Sequence, residues 1–492
     1  MTDRTYRFSP PDRTGWFLGL GGAQVVLLGS ALVTSAIAVN YGAPLILGLV
    51  TVGVAAVLSL VRSGGQPLVE LVPSAWRWAR HRRDATWLAP LPAMGAPSPT
   101  TPVLPPPLDG QVIAAAPGVA GGEMGVVSDA AAGTYAATVR VSGRQFALVE
   151  RGEQEALLAL WGDALSAFCQ EAAAVVEVRW SEWAAPAGME EQHAYLAEHA
   201  IADVLDPAAV SYRQLLRNAA PVATRHEVLV TVVISARRLN LGPRQGDPAA
   251  AATAALAEEL RQLARRLEAA GLTVSAPLSV GELCRALRVR LDPQVISVLD
   301  RRGRSLGDRA GLVGPADGGP LMASRAKRHW EVDGSLHRVF WFREWPRFDV
   351  GPTWMSDLLL YGGAVRTVAM SYQPVPPRVS QRAIARQSAK IEADVDQRQR
   401  TGFRVGAHHR RASRAVEERE EELVAGYSEL EYVGFVAVCA ATAEALDLVS
   451  ADVVQMAAGC GIELRPLDRR HDQGVAACLP LARGMAAKGL TA

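Results

Sequence analysis

The chain lacks the signatures that usually betray chemistry. No G-x-x-x-x-G-K-[ST] occurs in its 492 residues, which excludes a P-loop cradling nucleotide phosphates. No G-x-G-x-x-G opens a helix after a strand, and H-E-x-x-H and G-x-S-x-G are absent. The five cysteines, Cys169, Cys284, Cys439, Cys460 and Cys478, are widely spaced and form no C-x-x-C. That argues against a disulfide framework or zinc site and for reduced thiols in a cytoplasmic core. A net charge of +1 argues against a strongly cationic nucleic-acid binder and leaves room only for a local patch. His193 and His199 lie six apart, off the i, i+4 spacing of one helical metal face. Asp394-Val395-Asp396 reads as the solvated face of a charged helix. The sequence therefore offers no catalytic constellation, no cofactor site and no metal site.

What it does have is hydrophobic length near its start. Trp16–Val39 carries no charge, Asn40-Tyr41-Gly42 breaks the run, and Ala43–Val61 is again uncharged and rich in Val, Leu, Ala and Gly. An apolar helix of ~20 residues covers the ~30 Å hydrocarbon core and satisfies its own backbone amides. The pattern predicts a two-helix transmembrane hairpin with spans at about 16–39 and 43–61. Gly15, Gly19, Gly21, Gly22 and Gly29 give the first helix a small-residue face for close packing on the second. Arg4, Arg7 and Arg13 precede the hairpin, and Arg62, Arg77, Arg80, Arg82 and Arg83 follow it. Such flanks favour the cytoplasmic side, so a multi-pass inner-membrane protein with both termini in the cytoplasm is expected. Trp76, Arg77, Trp78, Arg80, Arg82 and Arg83 form the expected membrane-interface segment, aromatic rings at the headgroups and guanidinium groups on anionic lipid.

The remainder predicts an α+β protein: two cytoplasmic α/β-sandwich units, each a sheet with helices on one face. The domain boundaries are 1–62 for the hairpin and 63–125 for the juxtamembrane segment and Pro-rich linker. The first unit spans 126–300, a Gly-rich loop 301–326, and the second unit 327–492. In the first unit, strands are expected at Thr134–Val141, Gln145–Glu150, Ala174–Trp180, Glu227–Ser235 and Leu272–Ser275, with Glu227–Ser235 central because it is nearly all apolar. Helices are expected at Arg151–Glu171, Met189–Leu205, Pro207–Asn218, Ala249–Ala270 and Val280–Leu291. In the second unit a hairpin turns at Asp333-Gly334, and strands follow at Val365–Tyr372, Glu431–Ala440 and Ile462–Pro466. Charged helices at Val379–Gln399 and Ala412–Leu423 read as a partner-facing pair. Arg301, Arg302, Arg304 and Arg309 read as a solvated loop.

These patterns resemble a known family. The stretches TVRVSGRQFALVERGEQEALLALWGDAL, AVVEVRW, YRQLLRN, EVLVTVVIS and AAGLTVSAPLSVGELCRAL are similar to the N-terminal, non-ATPase domain of conjugation-type (type IV) secretion traffic ATPases of the TraC/TrbE type. The second unit continues the likeness through VFWFREWPRFDVGPTWMSDLL and FVAVCAATAEALDLVSADVVQMAAGCGIELRPL to the terminal LPLA. The hairpin resembles small two-span membrane proteins of the PrgI type. In the ATPase family a motor domain follows the LPLA region, whereas this chain stops at Ala492. The resemblance thus implies a non-enzymatic scaffold in the lipid bilayer. It would dock a separate P-loop ATPase, other secretion-complex subunits and copies of itself, with no catalytic residue carried over. The EccE-type subunits of type VII secretion resemble it in architecture. Single-stranded DNA handling is the third reading.

Overall fold

The computed structural model describes residues 6, 8, 22–63, 66–69, 72, 76, 86–90, 100–118, 121–143, 146–187, 189–199, 206–220, 223–239, 247–307, 310–400 and 407–485. Two apolar helices come first, α1 (Gly22–Asn40) and α2 (Leu45–Leu60), joined by a turn in which Gly42 takes the left-handed conformation, φ 88°. The described body is then a mixed helix-and-sheet structure around one antiparallel sheet of 13 strands.

In chain order the strands are β1 (Thr86–Leu88), β2 (Gln111–Pro117), β3 (Glu123–Asp129), β4 (Thr134–Ser142), β5 (Val175–Pro186), β6 (Thr224–Ser235) and β7 (Thr273–Pro277). They continue with β8 (Met322–Arg325), β9 (Trp330–Val332), β10 (Ser335–Glu344), β11 (Val365–Val375), β12 (Glu429–Ala440) and β13 (Glu463–Pro466). The helices of the body are α3 (Arg151–Ser166), α4 (Glu190–His199), α5 (Pro207–Ala219), α6 (Pro248–Ala269), α7 (Val280–Leu291) and α8 (Ile296–Leu306). After them come α9 (Ser356–Leu359), α10 (Pro377–Arg400), α11 (Ala407–Val424), α12 (Ala443–Gly459) and α13 (His471–Cys478). The sheet order is β1-β8-β9-β10-β12-β11-β5-β6-β4-β3-β2, with β7 on β4 and β13 on β10.

Two expectations change here. The two anticipated sheets are one, because β5 and β11 pair from Ala184↔Arg366 to Val178↔Tyr372. Helices also cover both faces. On β6, Leu229 and Val233 join α7 and α13 on one face, while Val230, Val232 and Ile234 join α3 and α6 on the other. That two-sided burial is why Glu227–Ser235 lacks the polar alternation of a half-exposed strand. On the second face α9 and α12 cover β10, β11 and β12. Four leucines of α6, Leu256, Leu260, Leu263 and Leu267, are fully buried at helical spacing. Truncating any one to alanine would cost about 2–5 kcal/mol.

The body is also an internal duplication. The run β4-α3-β5-α4-α5-β6-α6-β7-α7 recurs as β10-α9-β11-α10-α11-β12-α12-β13-α13. Both runs share one strand order, β4-β6-β5 and β10-β12-β11, with β7 and β13 placed alike. Adding 190 to a residue number carries Trp180 to Met370, and these two residues face each other across the β5–β11 seam. The same shift matches Arg179 with Ala369 and Ser181 with Ser371, and both cross pairs, Arg179↔Ser371 and Ser181↔Ala369, are present. An approximate two-fold axis therefore passes between β5 and β11 near the Trp180–Met370 pair.

Smaller departures have local causes. Gln145–Glu150 was expected as a strand, but Phe146–Leu148 form a 3-10 turn leading into α3. The expected loop 301–326 holds the end of α8, a 3-10 turn at Pro315–Gly318 and strand β8. Of the Pro-rich stretch, residues 100–118 lie on the body, with Leu104 and Leu108 buried and β2 forming the sheet edge.

Candidate membrane anchor and docking surfaces

Helices α1 and α2 pack on each other with their polarity turned inward. The Gln24 side-chain amide donates from Nε2 to the Ser59 carbonyl, and both residues are buried in the pair. Gly48 of α2 sits against Ser35 and Val39 of α1, where a Cβ would collide with the Ser35 hydroxyl. Among the described residues the small-residue contact is therefore on α2. Gly22 and Gly29 of the expected α1 face are exposed, with nothing near a would-be Cβ, and Gly15, Gly19 and Gly21 lie outside the described residues. Apolar side chains point outward, with Leu45 and Leu49 both 77% exposed. At 1.5 Å per residue α1 spans about 28 Å and α2 about 24 Å. Among the described residues, by length and composition only α1 qualifies as a membrane-crossing helix, and α2, at 16 residues, is shorter than the expected 43–61 span.

Both ends of this helix pair are tied to the same body. Ahead of α1, Tyr6 pairs with Val350 and Phe8 lies among Trp345, Trp354 and Tyr432. Behind α2, β1 joins the sheet through Thr86↔Ser324 and Leu88↔Met322. Of the expected interface residues, Trp76 is exposed; Arg77, Trp78, Arg80, Arg82 and Arg83 lie outside the described residues.

The seam between the halves holds two buried ionic clusters. On one face Arg179 donates to Glu177 Oε1 at 2.6 and 2.9 Å and to the carbonyls of Leu479 and Leu481 at 2.6 and 3.2 Å. Ser371 of the other half donates to the same Glu177 oxygen at 2.8 Å. The segment 479–482, the LPLA stretch, is thus strapped across the sheet centre, and Arg483 continues it with a 2.7 Å bond to Asp129. On the opposite face Arg366 is fully buried and donates to Glu182 of β5 and to the carbonyls of Tyr361 and Leu359. His226 meets the second Glu182 oxygen at 2.6 Å. Sequence reading missed both clusters. Their only signal was charge inside apolar strands, as in VVEVRWSEW.

The other singled-out residues do not converge. His193 and His199 are exposed on α4, where His199 stacks on Tyr195 at 4.4 Å. Among the described residues no group of three or more His, Cys, Asp or Glu is placed to hold a metal. The side chains of Asp394 and Asp396 lie outside the described residues. All five cysteines are free, and burial pushes the thiols of Cys439 and Cys478 up to about 12, far from reactive thiolates. Arg301, Arg302 and Arg304 stand on helix α8 rather than in a loop. The charged helices α10 and α11 pair through a small core of their own, Ile384, Ile391 and Val416, with Leu423 against it. A groove of about 440 Å³ is lined by Arg328, Arg338, Ser450, Asp447 and Asp468. Arg338 is occupied there by Asp447 at 2.7 Å and Ser450 at 3.1 Å. Nothing in it pairs a nucleophile with a base. Comparison with protein-family models and with curated proteins finds no match for the chain.

Proposed function

We propose that this chain is a membrane-anchored, non-enzymatic platform of a bacterial conjugation-like secretion apparatus. It docks a separate P-loop ATPase, further subunits and copies of itself. The observation that carries the anchor is the inverted polarity of the helix pair: Gln24 and Ser59 inside, Leu45, Ile46, Leu49, Val50 and Val54 outside. Exposed apolar area costs roughly 25 cal/mol per Å² in water and nothing in lipid. Local thinning of the bilayer accommodates the shorter α2. The two tethers, at Tyr6 and at Thr86, tie the chain on either side of the hairpin to the same body, which supports both ends lying on one side. With the arginine flanks, that side is the cytoplasm. The charged helix pair α10–α11 is the docking element in this reading.

Two measurements test it in sequence. Carbonate-washed membranes floated on a density gradient should retain the full chain; release into the soluble fraction sinks the anchor. Cross-linked pull-down from native membranes, read by mass spectrometry, should then recover a P-loop ATPase. Recovery of a translocase together with a membrane-anchored protease would instead assign the chain to type VII secretion.

A further inference from the structure

The contact made by the chain before α1 is a small binding site in its own right. Tyr6 N–H donates to Val350 O and Val350 N–H donates to Tyr6 O, each at 3.0 Å, so the arm adds as a one-residue β-ladder. Two residues on, Phe8 stacks on Trp345 with ring centroids 5.0 Å apart. It meets the edge of Trp354 at 5.1 Å and lies 6.2 Å from Tyr432. The receiving rings also hold one another, with Trp345 at 4.9 Å from Tyr432, 6.4 Å from Trp354 and 5.0 Å from the buried Phe342. In an extended segment residues i and i+2 share a side, so the backbone bridge at position 6 fixes the register that delivers the ring of position 8. Backbone pairing for grip and an aromatic pocket for selectivity is the logic of strand-addition peptide sites.

We propose that Val350 with Trp345, Trp354 and Tyr432 forms a recognition box for an extended segment carrying an aromatic residue. Its occupant is the N-terminal arm of the same chain. The arm is a latch: Tyr6 and Phe8 are held on the second half of the sheet, with thirteen residues between Phe8 and Gly22. Fully extended, that connector reaches no more than about 45 Å, so a closed latch limits how far α1 can move from the body. The latch stands on contacts within the body and holds whether or not the hairpin enters a bilayer.

The test uses the full-length protein in detergent micelles. Tyr6→Cys with Val350→Cys, treated with a short bis-maleimide, should give a cross-link within one chain. Four of the five native cysteines are buried, so background is low. A dimer-linking product, or no product, overturns the latch. The second arm is a fluorescent peptide of residues 1–12 read by anisotropy. Phe8→Ala protein, its box vacated, should bind the peptide at least tenfold tighter than the wild type, whose box is filled. Adding Trp354→Ala should abolish that gain. Equal binding by wild type and Phe8→Ala, or none by either, overturns the box. Retained thermal unfolding of Phe8→Ala shows that the fold is intact.

Discussion

The two halves of the sheet repeat one element order yet anchor it with different chemistry. In the first half α7 opens with a capping box: Ser279 accepts from Glu282 N–H at 3.3 Å, and Glu282 accepts from Ser279 N–H at 3.1 Å. Its counterpart α13 has Arg470 at the N-cap position, with no side-chain cap bond. It is pinned instead from below, by Arg325 on Asp472 at 2.7 Å and by Val339 N–H donating to His471 Nδ1 at 3.1 Å. By the shared register of Val139↔Pro277 and Phe340↔Pro466, Ala136 of the first half stands where His337 stands in the second. The aromatic box, the groove and the LPLA strap all draw on the second half. A duplicated backbone leaves each half free to differ wherever a polar group can be satisfied by a new neighbour. Here that freedom was used beside the arm and the strap.

The largest expected effect lies at the seam. Arg366→Ala leaves Glu182 buried with only His226 beside it, and should cost about 3–5 kcal/mol in chemical unfolding. The exposed pair Arg151–Glu155 is the control, expected at under about 0.5 kcal/mol on Arg151→Ala. Equal losses would mean that Arg366 does not bolt the halves together.

His337 should give the second half a pH dependence that Ala136 denies the first. Burial lowers its imidazole to about 4 from an ordinary 6.5, and Nε2 is satisfied by Leu291 O at 2.7 Å. The folded chain holds it neutral while the unfolded chain takes a proton. Its contribution is therefore complete above pH 6.5 and is lost progressively as pH falls from 6.5 toward 4. His337→Gln should flatten the unfolding temperature against pH in that window; an unchanged slope would place the dependence elsewhere.

A finer comparison uses the glycines that end α6 and α12. Gly271 and Gly461 both adopt left-handed φ, 76° and 77°. Alanine at either should cost about 1–2 kcal/mol from that conformation alone. Nothing lies near a Cβ at Gly271, whereas one at Gly461 would stand 2.9 Å from the Phe348 ring and 3.3 Å from Pro346. Gly461→Ala should thus exceed Gly271→Ala by about 1 kcal/mol or more, from overpacking. Apart from the Arg151 control, the smallest effect is Ser279→Ala, about 1 kcal/mol for the lost cap, read as faster amide exchange in the first turn of α7.

Much of the fold was legible where one element explains itself. The leucine stripe of α6, the turn at Asp333-Gly334 and the boundaries of α7 need only local periodicity and capping. The duplication was written faintly, in Gly271 and Gly461 and in Pro277-Leu278 against Pro466-Leu467, where the leucines donate backbone N–H to Thr138 O and Val339 O at 2.8 and 2.9 Å. The candidate sites were largely illegible. The box joins residue 8 to residues 345, 354 and 432, and the strap joins Arg179 to Leu479. No spacing rule reaches across such separations.

The sequence by itself determined the apolar helix pair, its break at Tyr41-Gly42, and the strand-or-helix identity of most segments, because those follow from charge, residue size and period along the chain. Only the tertiary structure decided that two units share one sheet, that both its faces are covered, and which charges are buried against which. Strand pairing such as Trp180 with Met370 is a contest among many apolar strands of similar propensity. It is settled by the combined packing of helices on both faces, which no single strand carries.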